Sequence, residues 1–271
     1  MRIYFAGLTA KNGQYAPVLR EAGVERVLDS YFYVEEPHDS FRRVMVDSGG
    51  YTAQEQGEDI SRKEYAKWLN EHEPDLAFNL DTPPLSRTRE NQRFLDSATH
   101  STYIIPVYHV QSWMRGNTKL LKEYVQEYPY ISLGGLVTGD ASHDQKTSFF
   151  RFVFRQAKDH TRVHGLGVSG NRLKEFPFYS VDSTTWVSAS KYRSVARFDR
   201  KRGKIVMNDA LTGKDQDPEN ASLEDFQVTN RYYLDCIKKS VNAFLDYEDY
   251  LQRLWTKRGV EFSEFNPQPH I

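Results

Sequence analysis

Eight short segments rich in β-branched and aromatic residues recur along the 271-residue chain, most of them separated by polar or helix-patterned stretches. They lie near Arg2–Ala6, Arg26–Tyr33, Val44–Asp47, Leu76–Leu80, Tyr103–Tyr108, Tyr130–Leu133, Arg162–Leu166 and Phe178–Val181. Helical patterning falls between them at Tyr15–Ala22, Arg62–Glu71 (with Ser61 as N-cap), Ser86–Ser97, Asn117–Glu127 and Gln145–His160. Strands alternating with helices require a parallel sheet with crossover connections, and eight such units fit a (β/α)8 barrel of the TIM type. A doubly wound open sheet is the alternative. It would usually carry a glycine-rich phosphate loop after its first strand, which Ala6-Gly-Leu-Thr-Ala-Lys-Asn-Gly13 does not resemble. The second and third strands lie close together, with residues 28–33 irregular.

Beyond the eighth strand, a hairpin is predicted with strands Val195–Phe198 and Lys204–Met207 turning through Asp199–Gly203. An exposed loop, Thr212–Asn220, follows. Asn230–Lys257 then reads as one helix whose stripe of Tyr233, Ile237, Val241, Phe244, Leu251 and Leu254 packs on the barrel. The tail, Phe262–Ile271, has no periodicity. With no repeat and no linker, residues 1–271 are expected to form a single domain, the barrel to about 186 and the hairpin and helix over about 187–259.

A composition of 39% hydrophobic and 27% charged residues is that of a soluble globular protein. No run approaches the ~18 apolar residues of a membrane span. The N-terminus enters a strand without the apolar length of a signal peptide, so a cytoplasmic location is expected. Cys236 is the only cysteine, which excludes an intrachain disulfide and any multi-cysteine zinc site. Its amphipathic helical setting predicts a buried side chain. Net charge is −1, yet Lys191, Arg193, Arg197, Arg200, Lys201, Arg202 and Lys204 stand against Asp199 alone, and Arg87, Arg89 and Arg93 form a second group. Basic stretches are commonly just solvated surface; on a near-neutral protein they can also serve a phosphate backbone.

In a barrel of this kind the C-terminal strand ends build the site. That rule gathers Asp47, Ser48, Gly49, Gly50 and Tyr51; Asn79 and Asp81; Tyr108 and His109; Gly134, Gly135 and Leu136; His164 and Gly165; and Asp182. Taken singly, each has a plainer reading: glycines make turns, Asp182 caps a turn or helix, and the histidines are satisfied core or rim residues. Taken together, three carboxylates beside paired glycines and an aromatic suit a flat polar ligand. Glycines let backbone approach a ring edge, Tyr51 can stack on its face, and carboxylates in unlike environments divide the work of nucleophile and proton carrier. No local metal-binding signature is present, and no metal or cofactor is expected.

Asp47-Ser-Gly-Gly-Tyr51, Leu133-Gly-Gly-Leu-Val-Thr-Gly-Asp140, His164-Gly-Leu-Gly167 and Val181-Asp-Ser-Thr-Thr-Trp186 resemble, in order and spacing, the motifs of the tRNA-guanine transglycosylase superfamily. The resemblance covers roughly residues 1–186, and Leu80-Asp-Thr-Pro-Pro84 looks most like the archaeal branch. It implies a (β/α)8 barrel that exchanges guanine in a polynucleotide for a free 7-deazaguanine base such as preQ0 or preQ1. Asp182 then matches the nucleophile on C1′ and Asp47 the carboxylate that handles the base's protons. Ser48 neighbours Asp47, Tyr51 matches the stacking aromatic, and Gly134, Gly135 and Leu136 match the strand whose backbone reads the base edge. His164 falls where bacterial members use a methionine. Either Asn79 or Asp81 matches the second base-reading carboxylate, and either Tyr108 or His109 stands where the family has a glutamine. The family's tRNA enzymes carry a Cys/His zinc site after the barrel, whereas Cys236 is alone here in a shorter chain without an appended RNA-binding domain. That departure resembles the DNA-modifying, DpdA-type branch, so DNA is the expected partner, with tRNA or a non-catalytic binding role as the alternatives. Oligomeric state is left open.

Overall fold

In a computed structural model of the protein, which describes residues 1–8, 15–81, 85–137, 139–157, 161–187, 194–209, 223–261 and 263–267, the strand segments pair in parallel around a nearly closed ring. The strands are β1 (Arg2–Ala6), β2 (Arg26–Ser30), β3 (Arg43–Asp47), β4 (Leu76–Phe78), β5 (Tyr103–Ile105), β6 (Val107–His109), β7 (Tyr130–Gly134), β8 (Arg162–Gly165) and β9 (Ser180–Ser183). Their order is β5-β4-β3-β2-β1-β9-β8-β7-β6. The predicted fifth strand is split at Pro106, which has no N–H to give to a ladder. Its carbonyl still accepts from the Ser132 N–H at 2.8 Å. Because β5 pairs with β4 and β6 with β7, one run of chain joins both ends of the sheet, and the fold is a (β/α)8 barrel.

Period-two alternation sorts the strands into an inner and an outer layer. Val46, Ala77 and Ile104 lie in one register row and share a buried cluster with Tyr65, Ala66 and Leu69. Those three belong to helix α3 (Arg62–His72), which follows α1 (Ala16–Glu21) and α2 (Gly50–Glu55). Then come α4 (Thr88–Ala98), α5 (Val110–Met114), α6 (Thr118–Glu127), α7 (His143–Gln156) and α8 (Leu223–Lys257). Ser61 caps α3 as expected, and α7 starts two residues early because Ser142 and Gln145 form a reciprocal capping box. The short α2 and α5 went unpredicted; at six and five residues they are too brief to show periodicity.

No helix follows β2 among the described residues. Asp29, on the outer face of that strand and buried, instead accepts the His38 N–H at 2.8 Å and lies 2.8 Å from its Nδ1. The loop is also tied to α3 by Trp68 Nε1, which donates to the Glu35 carbonyl. The hydrogen bond to Asp29 raises the His38 pKa above its ordinary value, against a smaller opposing effect of burial. A raised folded-state pKa means this stabilisation is complete below the unfolded value of about 6.5 and is lost as pH rises through the folded one. His38→Ala should therefore cost about 1–2 kcal/mol at acidic pH and less at alkaline pH. Melting temperatures of both proteins across pH test this; a pH-independent difference counts against it.

Helix α8 stands where the barrel's last helix belongs. Ile237, Val241, Phe244, Tyr247, Leu251 and Trp255 are buried along its stripe, and Glu248 accepts the Ile3 N–H at 2.8 Å while pairing with Arg26. It begins earlier than the expected residue 230, and of the expected stripe Leu254 is only partly buried while the Tyr233 side chain lies outside the described set. Cys236 is buried, as its setting implied. The hairpin β10 (Ser194–Asp199) and β11 (Lys204–Asp209) packs along α8. The 212–220 loop lies outside the described residues. Phe265, in the tail that showed no pattern, sets its ring edge-on to Tyr103 and Tyr130 and donates its N–H to Tyr179, so the tail covers the N-terminal end of the barrel. Among the described residues no helix is long and apolar enough to cross a membrane.

Candidate active site

At the end of β3, alternation turns Met45 and Asp47 inward and Val46 outward. The chain then turns at Gly49, whose φ of 74° lies in the left-handed region. A Cβ there would stand 2.4 Å from Phe32 Cβ and 2.7 Å from Ser30 Oγ. The Gly49 N–H donates to Asp47 Oδ2 at 3.1 Å, and buried Ser48 accepts the Gly50 N–H at 3.3 Å. Gly49→Ala should cost about 2–4 kcal/mol, from left-handed strain plus the clash with Phe32. A urea midpoint left where it was would refute this.

Asp47 is half-buried beside two further carboxylates. Burial first, then the charges of Asp81 and Asp182, push its pKa up to about 7, against the Gly49 and Ser48 amides. It therefore exchanges a proton near neutrality, the property a group that serves in turn as acid and base requires. Asp81 Oδ2 lies 2.7 Å from His109 Nε2. Of the two candidates on that loop, Asp81 joins the carboxylates. Asn79 is fully buried, donates Nδ2 to the Thr88 carbonyl at 2.8 Å, and has no partner for Oδ1 among the described residues. Of the next pair, His109 faces the site, whereas Tyr108 points outward, its ring 5.7 Å from Phe149 and its hydroxyl on the Asn117 carbonyl.

The glycine pair at the end of β7 is dictated by close approach. A Cβ on Gly134 would come within 3.0 Å of His109 Nε2, and one on Gly135 within 2.0 Å of Gln111 Oε1. Leu136 is buried behind them. Gln111, in the first turn of α5, donates to Asp140 at 2.9 Å and so lies over this backbone. It escaped the sequence reading, being two residues past the strand end that drew attention. Tyr51 lies in the first turn of α2 at 52% exposure with its hydroxyl on Glu55; Tyr33 and Val137 are likewise exposed on strand-end loops.

Asp182, the third residue of β9, is buried. Its Oδ1 accepts the Gly167 N–H at 2.8 Å and lies 3.2 Å from His164 Nε2, while Oδ2 has no hydrogen-bond partner among the described residues. His164 does not face the mouth. It is fully buried in the barrel interior between Tyr4 and Phe78, ring centroids 6.2 and 4.9 Å away. Among the described residues no group of three or more His, Cys, Asp or Glu side chains is placed to hold a metal ion.

The basic residues are scattered. Arg87 lines a cleft of about 510 Å³ with Leu80, Arg62, Glu90 and Asn91. Arg89 is paired with Glu123 on the barrel exterior, and Arg93 is exposed on α4. The hairpin tip packs low on α8, where Arg200 pairs with Asp246 and Gly203 meets the Tyr250 ring. The same stretch of helix touches Met1 and Ile3 at the N-terminal strand ends. Arg200, Lys201 and Arg202 are thus held towards the N-terminal strand ends, their contacts at Asp246 and Tyr250 lying about 9–15 Å along the helix from Ser240, which binds the Ala196 N–H. Arg197 is exposed partway along β10 and Lys204 starts β11 at the tip end; Lys191 and Arg193 lie outside the described residues. No protein-family model and no curated protein matches the chain.

Proposed function

We propose that this barrel is a base-exchanging transglycosylase that replaces guanine in DNA by a free 7-deazaguanine. The observation that carries the reading is the unlike pair of carboxylates at the strand ends: Asp182, held through Oδ1 with Oδ2 unengaged, and Asp47, whose pKa of about 7 suits it to proton transfer. Four motifs resembling the transglycosylase superfamily support it, and the single cysteine, which leaves no family-type zinc site, favours the DNA branch.

The chemistry follows from those roles. A target guanine is extruded from its stack or met in a single strand. Asp182 Oδ2 attacks C1′ as the C1′–N9 bond breaks, and the departing guanine takes the proton of Asp47. The transition state is oxocarbenium-like and the product is a deoxyribosyl ester of Asp182. The incoming base returns its N9 proton to Asp47, N9 attacks C1′, and the ester bond breaks to restore the carboxylate. Two inversions retain configuration. Gln111 and the 134–136 backbone read the base edge, and Tyr51 stacks on its face.

Because the hairpin tip stands apart from the carboxylates, reversing Arg200, Lys201 and Arg202 together should leave KM for DNA within about twofold. Arg87→Glu should weaken binding and lower the salt slope by about 1. The decisive test is a denaturing gel of protein incubated with guanine-containing DNA or with tRNA, Asp182→Ala alongside. A shifted band with DNA that the variant lacks is expected. A band with tRNA alone would transfer the reading to that polymer, and none with either, a 7-deazaguanine supplied, would overturn it.

A further inference from the structure

Beneath Asp182 a file of side chains runs down the barrel interior. His164 Nδ1 lies 2.6 Å from Ser180 Oγ, and Ser180 Oγ in turn is hydrogen-bonded to the Tyr130 hydroxyl. All three residues are fully buried. Ser180 and Asp182 share a face of β9, two residues apart, and His164 is in register with Ser180 across the β8–β9 ladder.

Polarity along this file is fixed from its upper end. An ionised carboxylate only accepts, so Nε2 of His164 must carry a proton to face Asp182 Oδ1. A neutral imidazole then has a bare Nδ1, which accepts from the Ser180 hydroxyl, and Ser180 Oγ accepts from Tyr130. The opposite direction would set a lone pair of Nε2 against the carboxylate. Burial holds the Tyr130 phenol far above its usual pKa, so it remains a donor.

We infer that Tyr130, Ser180 and His164 form a unidirectional donor relay that locks His164 as the Nε2–H tautomer and fixes Asp182 by its Oδ1, leaving Oδ2 aimed at the substrate. All three are positioning residues. The role assigned to Oδ2 rests on the proposed function; the tautomer lock does not. The Gly167 N–H holds the same oxygen from the other side, so the carboxylate is gripped at one atom by two donors. Without the relay an imidazole divides between tautomers, and the one bare at Nε2 repels the carboxylate it should hold.

The test pairs a tautomer measurement with kinetics. Nitrogen NMR of imidazole-labelled full-length protein at about pH 8 should show His164 neutral, with Nε2 protonated and Nδ1 bare. Ser180→Ala should abolish that signature and slow formation of the covalent band roughly 10- to 100-fold, Ser180→Thr should restore both, and Tyr130→Phe should have a smaller effect of the same kind. In a His164→Gln background, where the amide donates without a tautomer to fix, Ser180→Ala should add little. A His164 protonated at Nδ1, or a signature and rate untouched by Ser180→Ala, overturns the relay. Loss of rate with an additive His164→Gln, Ser180→Ala pair would reduce it to packing and equally overturn it. The expected tautomer in a protein that forms no covalent band with any polymer would leave the relay standing and remove the transglycosylase reading instead.

Discussion

Replacing Asp182 by asparagine should reduce base exchange by at least about 10⁴-fold and abolish the covalent band, the scale of loss when a nucleophile is removed. Asparagine is the informative substitution because, among the described residues, only one oxygen is gripped. Its carbonyl can take the place of Oδ1, accepting from the Gly167 N–H and from His164, so the barrel should melt near the wild-type temperature. What is lost is the second oxygen, since an amide nitrogen does not attack C1′. Asp182→Ala differs: it leaves buried His164 and the Gly167 N–H without their acceptor and should cost about 1–3 kcal/mol in addition. Exchange kinetics beside thermal melts separate the cases. An asparagine variant retaining a tenth of the activity would remove Asp182 from the chemistry.

For Asp47→Asn, activity and stability should move in opposite directions. Losing the proton carrier should slow formation of the intermediate by about 10²- to 10⁴-fold. In the wild-type protein that step should decline as pH rises through about 7, because guanine departs with the proton of Asp47, and the variant should lack this limb. Stability follows from the same shift. A folded-state pKa raised from 3.8 to about 7 means the folded protein binds the extra proton, so the contribution of Asp47 worsens as pH rises between those values. Above pH 7 the carboxylate is a half-buried charge facing two others, and asparagine removes it. The variant should be more stable at about pH 8 by on the order of 2 kcal/mol, or roughly 4–8 °C in Tm, with the gain vanishing towards pH 4. Equal melting temperatures at both pH values would mean that Asp47 is not the group under strain.

The barrel was legible in the sequence because its eight strand units repeat, and because strand ends in this architecture converge whatever their sequence separation. Asp47, Asp81, His109 and Asp182 follow from that rule. Failures occurred where a step of one or two residues at a strand end changes the direction of a side chain. Tyr108 adjoins His109 yet points into the helix layer, and Asn79 turns into the protein while Asp81 turns to the site. His164 was assigned to the base pocket from its strand-end position, but it lies one register row below the mouth and serves Asp182 instead. The basic hairpin was judged by charge, a one-dimensional property, and its distance from the carboxylates depends on how far it rides down α8.

The seating of β1 carries a consequence for how this chain is made. β1 has β2 on one side and β9, the last barrel strand, on the other. Its remaining partners come later still: the Ala6 carbonyl accepts from Trp186 Nε1, 180 residues away, and the Ile3 N–H donates to Glu248, 245 away. While a ribosome extends the chain, Ile3, Tyr4 and Phe5 have one paired edge and an uncovered outer face until β9 and α8 have emerged. Such long-range closure is slow and exposes an apolar strand edge in the interval. Yield of folded protein should therefore depend on synthesis rate and growth temperature more than on equilibrium stability, and substitutions in β9 or α8 should appear first as aggregation during expression.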